Sequence, residues 1–150
     1  MIVCDTGPLV AAAIATDPDY HRCVELFTGL HLANRPIVVP APIVAEVGYL
    51  LERYGGSRAE SQFLRSLAEG DFVPMELTSG DYARMADLVD QYADFPLGTS
   101  VGTSDASVVA LAERLDVPEV GTLDVRHFSV VRPKHVHTLT LLPEPPRDRQ

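Results

Sequence analysis

The sequence predicts an α/β fold, a three-layer α/β/α sandwich around a central, mainly parallel sheet. Short apolar segments typical of buried strands alternate along the chain with longer segments of helical periodicity. Turn-forming residues separate the two kinds of segment, as in Asp-Thr-Gly-Pro at residues 5–8. Parallel strands need long crossover connections, which these helices supply, so the alternation itself favours parallel pairing.

Six segments are predicted to be strands because they are short, apolar and rich in β-branched residues. The clearest is Ile-Val-Cys at the start of the chain, which the turn residues follow directly. In chain order, the six lie at residues 2–4, 37–40, 72–77, 119–123, 130–133 and 137–142.

Five segments have the spacing and the end signals of helices. Pro18 and Pro42 each stand where a first helical turn would begin, a position that proline favours. Gly55 and Gly56 are expected to end the second helix, and Gly70 the third. The predicted helices begin near residue 18, at 42, at 57, at 79 or 81 and at 105, and a loop covers residues 95–104.

Length and composition indicate one globular domain. The chain has 150 residues, of which 46% are hydrophobic and 22% charged, as is ordinary for soluble proteins. We predict a single domain over residues 1–142 and a proline-rich tail over 143–150. No stretch approaches the roughly 20 apolar residues of a membrane helix, and no signal-peptide pattern is seen, so a cytoplasmic protein is expected. Cys4 and Cys23 are too few for a disulfide framework or a zinc site.

The net charge of -9 argues against a nucleic-acid partner, which usually meets a basic surface. The charge is unevenly distributed, however, because the last 25 residues of the sequence carry a net charge of +3. Charge alone therefore does not identify the partner. The basic side chains of this segment are Arg126, Arg132, Lys134, Arg147 and Arg149, and the acidic ones are Glu144 and Asp148.

Four acidic residues are placed where parallel sheets bind ligands, beyond the carboxyl ends of the strands. Asp5 follows the first strand directly, and Asp124 follows the strand at 119–123. Glu46 lies one turn into the helix after the second strand, and Asp105 stands at the start of the last predicted helix. Crowded carboxylates repel one another and need a counter-charge. Hard oxygen ligands favour Mg²⁺, with Mn²⁺ as a possible substitute.

Each acid also has an ordinary structural interpretation. Asp5 and Asp124 could be turn residues, and Asp105 could be only the N-cap of its helix. Glu46 is harder to explain in this way, since helical phase puts it at the edge of an apolar stripe. A carboxylate there is partly removed from water and needs a partner. The coincidence of the four positions favours the functional interpretation.

The motifs together resemble the PIN-domain ribonucleases, and among them the VapC toxins of bacterial toxin–antitoxin pairs. The resemblance rests on MIVCDTGPLVA, VAEVGYLL, DASVVALAERL and VGTLDVRHF, which occur in the family's order and spacing over nearly the whole chain.

This resemblance implies a PIN-like fold and a Mg²⁺-dependent endoribonuclease that inhibits translation and is neutralised by a VapB-type antitoxin. It also suggests a homodimer. The metal-binding and catalytic acids would be Asp5, Glu46, Asp105 and Asp124. The hydroxyls of Thr6 and Thr122 would orient these carboxylates or water. Arg126 and Arg132 are candidates for contact with the RNA backbone, whereas we expect His127 to have a structural or surface role.

The sequence departs from the family pattern at one loop. Here Pro-Leu-Gly at 96–98 is followed by six further residues before Asp105, where the family passes almost directly into the helix. The longer loop could be a surface insertion, or it could displace Asp105.

Other functions fit the residues less well. A phosphoacceptor receiver domain would need paired acids after the first strand and a lysine near the site, but Asp5 stands alone and Lys134 is the only lysine. A DNA flap nuclease would need additional DNA-tracking elements. A non-catalytic PIN-like interaction module, or a nuclease outside a toxin–antitoxin system, remains an alternative to the toxin.

Overall fold

A computed structural model describes residues 1–95 and 101–146 of the chain. Within them, short strands form a single five-stranded sheet. The strands are β1 (Ile2–Cys4), β2 (Ile37–Pro40), β3 (Val73–Met75), β4 (Glu119–Gly121) and β5 (Thr140–Leu142).

Helices connect the strands and flank the sheet. The described helices are α1 (Thr6–Ala13), α2 (Tyr20–Leu32), α3 (Ala41–Glu69), α4 (Ser79–Gln91), α5 (Thr103–Leu115) and α6 (Val125–Val130). The predicted α/β fold with a parallel sheet is thus confirmed.

The strand order is β3-β2-β1-β4-β5, and all four pairings are parallel. The chain therefore adds strands on one side of β1 first and on the other side later. Such a change of direction opens a crevice beyond the carboxyl ends of the two strands at which it occurs. In this protein the crevice lies between β1 and β4, where Cys4 is paired with Gly121.

The core explains why the central elements form. Every residue of β1 and β2 is buried, as expected for strands covered on both faces. Helix α5 is buried over the whole stretch from Ala106 to Ala112, and it contacts α3 and α4 as well as the sheet. Its small and β-branched side chains suit a helix that is enclosed on most sides.

The predicted break at Gly55 and Gly56 is present inside α3. Gly56 has φ 76° and ψ 177°, so two helical segments meet there at a kink. Gly70 ends α3 in the left-handed conformation that glycine adopts without strain. The chain accordingly turns twice between β2 and β3.

The strand predicted at residues 130–133 is wrong. Val130 ends α6, and the residues after it form no pairing with the sheet in the described structure. Adjacent valines favour a strand, but Asp124 caps a helix that extends into them. The last strand also begins at Thr140 rather than at residue 137, and neither α1 nor α6 was predicted as a helix.

Parts of two predicted segments lie outside the described residues, namely 96–100 of the loop and 147–150 of the tail. In the described part of the chain, no helix is both long enough and apolar enough to cross a membrane.

Gly121 should be difficult to replace. A Cβ atom at this position would lie 3.1 Å from Cys4 Sγ and 3.3 Å from Ile2 Cδ1. We expect Gly121→Val to lower the free energy of unfolding by about 1–3 kcal/mol, as overpacked cores do. Urea denaturation followed by circular dichroism would measure this change.

The matched control is Gly29→Ala, on an open face of α2 where a Cβ would have no neighbour within 4 Å. This change should leave stability equal or raise it by up to about 1 kcal/mol. Equal stability of Gly121→Val and the wild type would show that the contact between β1 and β4 has more space than the structure indicates.

Candidate active site

The pairing of β1 with β4 brings Asp5 and Asp124 to the same edge of the sheet. The Asp5 backbone N–H donates to the carbonyl of Gly121 over 2.7 Å. Thr122 then donates its hydroxyl to Asp5 Oδ2 at 2.9 Å, and the Asp124 N–H donates to the same hydroxyl oxygen at 3.0 Å. Thr122 therefore connects the two acids.

Glu46 reaches the same edge from α3. Thr6, the first residue of α1, donates its hydroxyl to Glu46 Oε2 at 3.0 Å. Glu46 is half-buried, as its place beside the apolar stripe of the helix predicts. The two hydroxyls of Thr6 and Thr122 thus each hold one carboxylate, although their role in catalysis remains a prediction.

Asp105 enters the site from the first turn of α5. The sequence placed it at the start of this helix, but the helix begins at Thr103 and its N-cap is Gly102. Asp105 is therefore not the N-cap. Burial raises the pKa of Asp105, while the nearby His127 and a hydrogen bond from the Gly102 backbone lower it by less. Asp124 and Glu46 raise it further, because like charges disfavour ionisation.

All four predicted acids line one open cleft of about 550 Å³. The lining also includes Arg126, which is the one cationic residue among the described residues that face this cleft. The complete lining is Asp5, Thr6, Gly7, Glu46, Asp105, Leu123, Asp124, Val125 and Arg126.

Asp5 is the most buried of the acids, with 7% of its surface exposed. Burial raises the pKa of Asp5 to about 6, and Asp105 and Glu46 add to the rise, while hydrogen bonds from Thr6 and Thr122 oppose it. No lysine or arginine of the described residues forms an ion pair with Asp5. Within the described residues, the Asp5 carboxylate therefore has no ion-pair partner of its own.

The donor set suits a hydrated divalent ion better than an enclosed one. Across residues 1–95 and 101–146, no three His, Cys, Asp or Glu side chains converge closely enough to form a ready-made metal cage. Mg²⁺ usually keeps several water ligands and uses only one or two carboxylates directly. An open cleft to which four carboxylates and the Thr6 hydroxyl contribute oxygen atoms fits that mode of binding.

His127 contacts the site more closely than its sequence context suggested. Its ring Nδ1 pairs with Asp124 Oδ2, and its backbone N–H donates to Asp124 Oδ1 at 3.1 Å. His127 also lowers the pKa of Asp105. The contact between His127 and Asp124 could have been predicted from their three-residue spacing. That spacing is informative only if Asp124 is recognised as the N-cap of a helix.

The two predicted RNA-contacting arginines lie in different places. Arg126 lines the cleft. Arg132 is outside the lining, and its backbone N–H donates to the Tyr92 hydroxyl at 2.8 Å. Residues 96–100 of the long loop before Asp105 are outside the described structure, so its effect on that acid stays a prediction.

Comparison with known proteins agrees with this geometry. The family model described as the PIN domain matches residues 2–133. The chain belongs to the PIN-domain family. A relative named Ribonuclease VapC26, from Mycobacterium tuberculosis, is 32% identical over 142 residues, which are 95% of this chain and 100% of the relative. This PIN-domain protein is therefore a member of the VapC group, as its motifs indicated.

Solved structures share the fold. VapC20 of M. tuberculosis, described as a toxin that cleaves the sarcin-ricin loop, has a TM-score of 0.67 at 16% identity and covers 80% of this chain and 87% of its own. VapBC2 of Rickettsia felis, bound to a promoter DNA fragment, has a TM-score of 0.62 at 17% identity, covering 94% and 97%. FitAcB of Neisseria gonorrhoeae has a TM-score of 0.62 at 20% identity, covering 85% and 91%.

The buried carboxyl of Asp5 predicts a pH-dependent stability in metal-free protein. Its pKa is about 6 in the folded state against 3.8 for the ordinary group, so folding favours the protonated form. The stabilisation is complete below pH 4 and is lost as the pH rises to about 6. Asp5→Asn should therefore be more stable than the wild type at pH 8, by up to roughly 3 kcal/mol, and should lose this advantage near pH 4.

Thermal or urea unfolding in chelator at the two pH values would measure this difference. Asp90→Asn, on the exposed part of α4, is the control and should show no such pH-dependent gain. A gain of the same size at both pH values would mean that ionisation of Asp5 is not its cause.

Proposed function

We propose that this protein is an endoribonuclease toxin that hydrolyses RNA phosphodiester bonds at the acidic cleft with the help of Mg²⁺, for which Mn²⁺ can substitute. The observation that carries the proposal is the convergence of Asp5, Glu46, Asp105 and Asp124, from four separate parts of the chain, on one cleft. The relationship to a VapC ribonuclease supports RNA as the substrate.

The side chains would divide the work as their contacts suggest. Asp5, held by Thr122, would be the central metal ligand, and Glu46, held by Thr6, would support it from the other side. Asp105 and Asp124 would complete the shell directly or through water. A divalent ion bound there would lower the pKa of the attacking water and neutralise charge on the phosphate.

Side chains near the acids would position the RNA and one of the carboxylates. Arg126 in the cleft, and Arg132 further away, would bind the phosphates that flank the scissile bond. His127 would fix the orientation of the Asp124 carboxylate, which it contacts from both its ring and its backbone.

The biological setting follows from the same family. We propose a cytoplasmic toxin that inhibits translation, functions as a homodimer, and is neutralised by a cognate VapB-type antitoxin. The structural similarity to VapBC2, which is a toxin–antitoxin complex by name, supports such a partner. An antitoxin arginine inserted among the carboxylates would supply the positive charge that Asp5 lacks.

RNA cleavage with and without Mg²⁺ tests the site. We expect Asp5→Ala to reduce the cleavage rate by 100-fold or more, on the order of what a main metal-binding group contributes. Gel analysis of a labelled RNA would measure the rate, and Asp90→Asn would be the control with unchanged activity. Cleavage by Asp5→Ala at the wild-type rate would remove Asp5 from the mechanism.

Asp105→Ala distinguishes whether the long loop displaces this acid. A loss as large as that of Asp5→Ala would place both groups at the reacting phosphate, whereas a loss of a few-fold would indicate a peripheral Asp105.

Growth arrest on expression, and its relief by the product of the neighbouring gene, tests the toxin assignment. An enzyme that cleaves RNA without arresting growth would instead be a nuclease outside a toxin–antitoxin system.

A further inference from the structure

An exposed cluster of aromatic and basic side chains lies on α3 beyond the cleft. Tyr49 and Tyr54 are 60% and 64% exposed, so both rings are largely open to solvent. Arg53 lies between them in sequence and contacts both. Its Nη1 donates to the Tyr49 hydroxyl at 3.3 Å, and its guanidinium carbon is 6.0 Å from the centre of the Tyr54 ring. We call these three residues the Tyr49–Arg53 ridge.

The arginine of the ridge is electrostatically free. Among the described residues, Arg22, Arg35, Arg84 and Arg114 form ion pairs with acids, but Arg53 forms none. Its positive charge is therefore available to an anion. The contacts that its guanidinium group makes are with the aromatic residues Tyr49 and Tyr54.

The ridge lies on the same helix as Glu46 and follows it along the chain. Tyr49 and Arg53 follow Glu46 by three and seven residues, so all three side chains share one face of α3. At the usual helical rise, they lie roughly 4.5 Å and 10.5 Å further along the axis than Glu46. A nucleotide next to the scissile phosphate would come within reach of this face.

The chemistry of the ridge matches unpaired RNA. Aromatic side chains stack on bases that are splayed out of a helix, and guanidinium groups bind phosphates or stack in turn. The acidic cleft itself offers a polyanion little attraction, since Arg126 is the one cation among its described lining residues. A second contact outside the cleft would help to hold the substrate.

We propose that the Tyr49–Arg53 ridge binds a nucleotide of single-stranded RNA that flanks the scissile phosphate, with the base stacked on a tyrosine and the phosphate on Arg53. The inference rests on the proposed ribonuclease function and adds a positioning site to it. Double-stranded RNA would not bind the ridge in this way, because its bases are already stacked on one another.

Binding can be measured without cleavage in an Asp5→Asn background. The probe is a fluorescein-labelled single-stranded RNA of mixed sequence, titrated in the presence of Mg²⁺ and followed by anisotropy. We expect Tyr49→Ala with Arg53→Ala to weaken binding roughly tenfold, the size of one lost stacking contact. Tyr49→Phe, which keeps the ring, should retain more binding than Tyr49→Leu.

The matched control is Tyr82→Ala with Arg65→Ala, which removes a similarly exposed tyrosine on α4, with 55% of its surface accessible, and an exposed arginine in the later part of α3. This control should bind the single strand like the parent protein. Equal weakening of RNA binding in both double variants would indicate a general charge effect and would overturn the proposed ridge site. The same loss with a fully duplex RNA would also overturn it, because stacking would not be involved.

Cleavage kinetics separate this inference from the proposed function. In the active protein, the ridge variant should raise KM more than it changes kcat. Unchanged KM in a protein that cleaves RNA would overturn the ridge and leave the ribonuclease intact. A wild type that cleaves no RNA would contradict the proposed function. The binding measurement in the Asp5→Asn background does not depend on cleavage, and absence of RNA binding there would overturn the proposed ridge site.

Discussion

The parallel pairing of β1 with β4 is the constraint on which the acidic cleft depends. Cys4 is paired with Gly121, and the hydrogen bond from the Asp5 N–H to the Gly121 carbonyl continues this contact one residue beyond β1. A Cβ at position 121 would lie 3.1 Å from Cys4 Sγ, so glycine keeps this pairing free of a tight contact. Because a shift of one residue would reverse the direction of every side chain, the register of two buried strands also fixes the direction of Asp5 and Thr122.

The buried acids of this protein differ in whether an arginine is paired with them. Away from the cleft, Asp81 is buried but paired with Arg114, and Glu113 accepts bidentate hydrogen bonds from the guanidinium group of Arg84. These pairs join α4 to α5 and have a structural explanation. Asp5 is nearly as buried as Asp81 and has hydroxyl and backbone donors only, so its environment opposes the charge that it must carry. Strained electrostatics of this kind are typical of functional sites.

Most of the sheet and the meeting of the four acids at one cleft could be predicted from sequence, because strand ends and helix starts have local signals. Apolar segments bounded by turn residues gave the strands at 2–4 and 37–40, and Gly70 marked a helix end. The segment at 130–133 failed because the cap supplied by Asp124 outweighs the strand preference of two valines. The pairing of Thr6 with Glu46 spans 40 residues, and only the folded chain brings these groups together.

The net charge of -9 and an RNA substrate are compatible if recognition uses few contacts. A protein that neutralises many phosphates gains affinity from released counterions and binds nucleic acid of any sequence. Here most of the described acids would repel RNA, and several arginines are already paired with acids. Under the proposed function, binding would rely on the metal site, Arg126 and a small number of further contacts. Such an interface would give weak binding to bulk RNA and would leave shape and unpaired bases to determine which phosphate reaches Asp5.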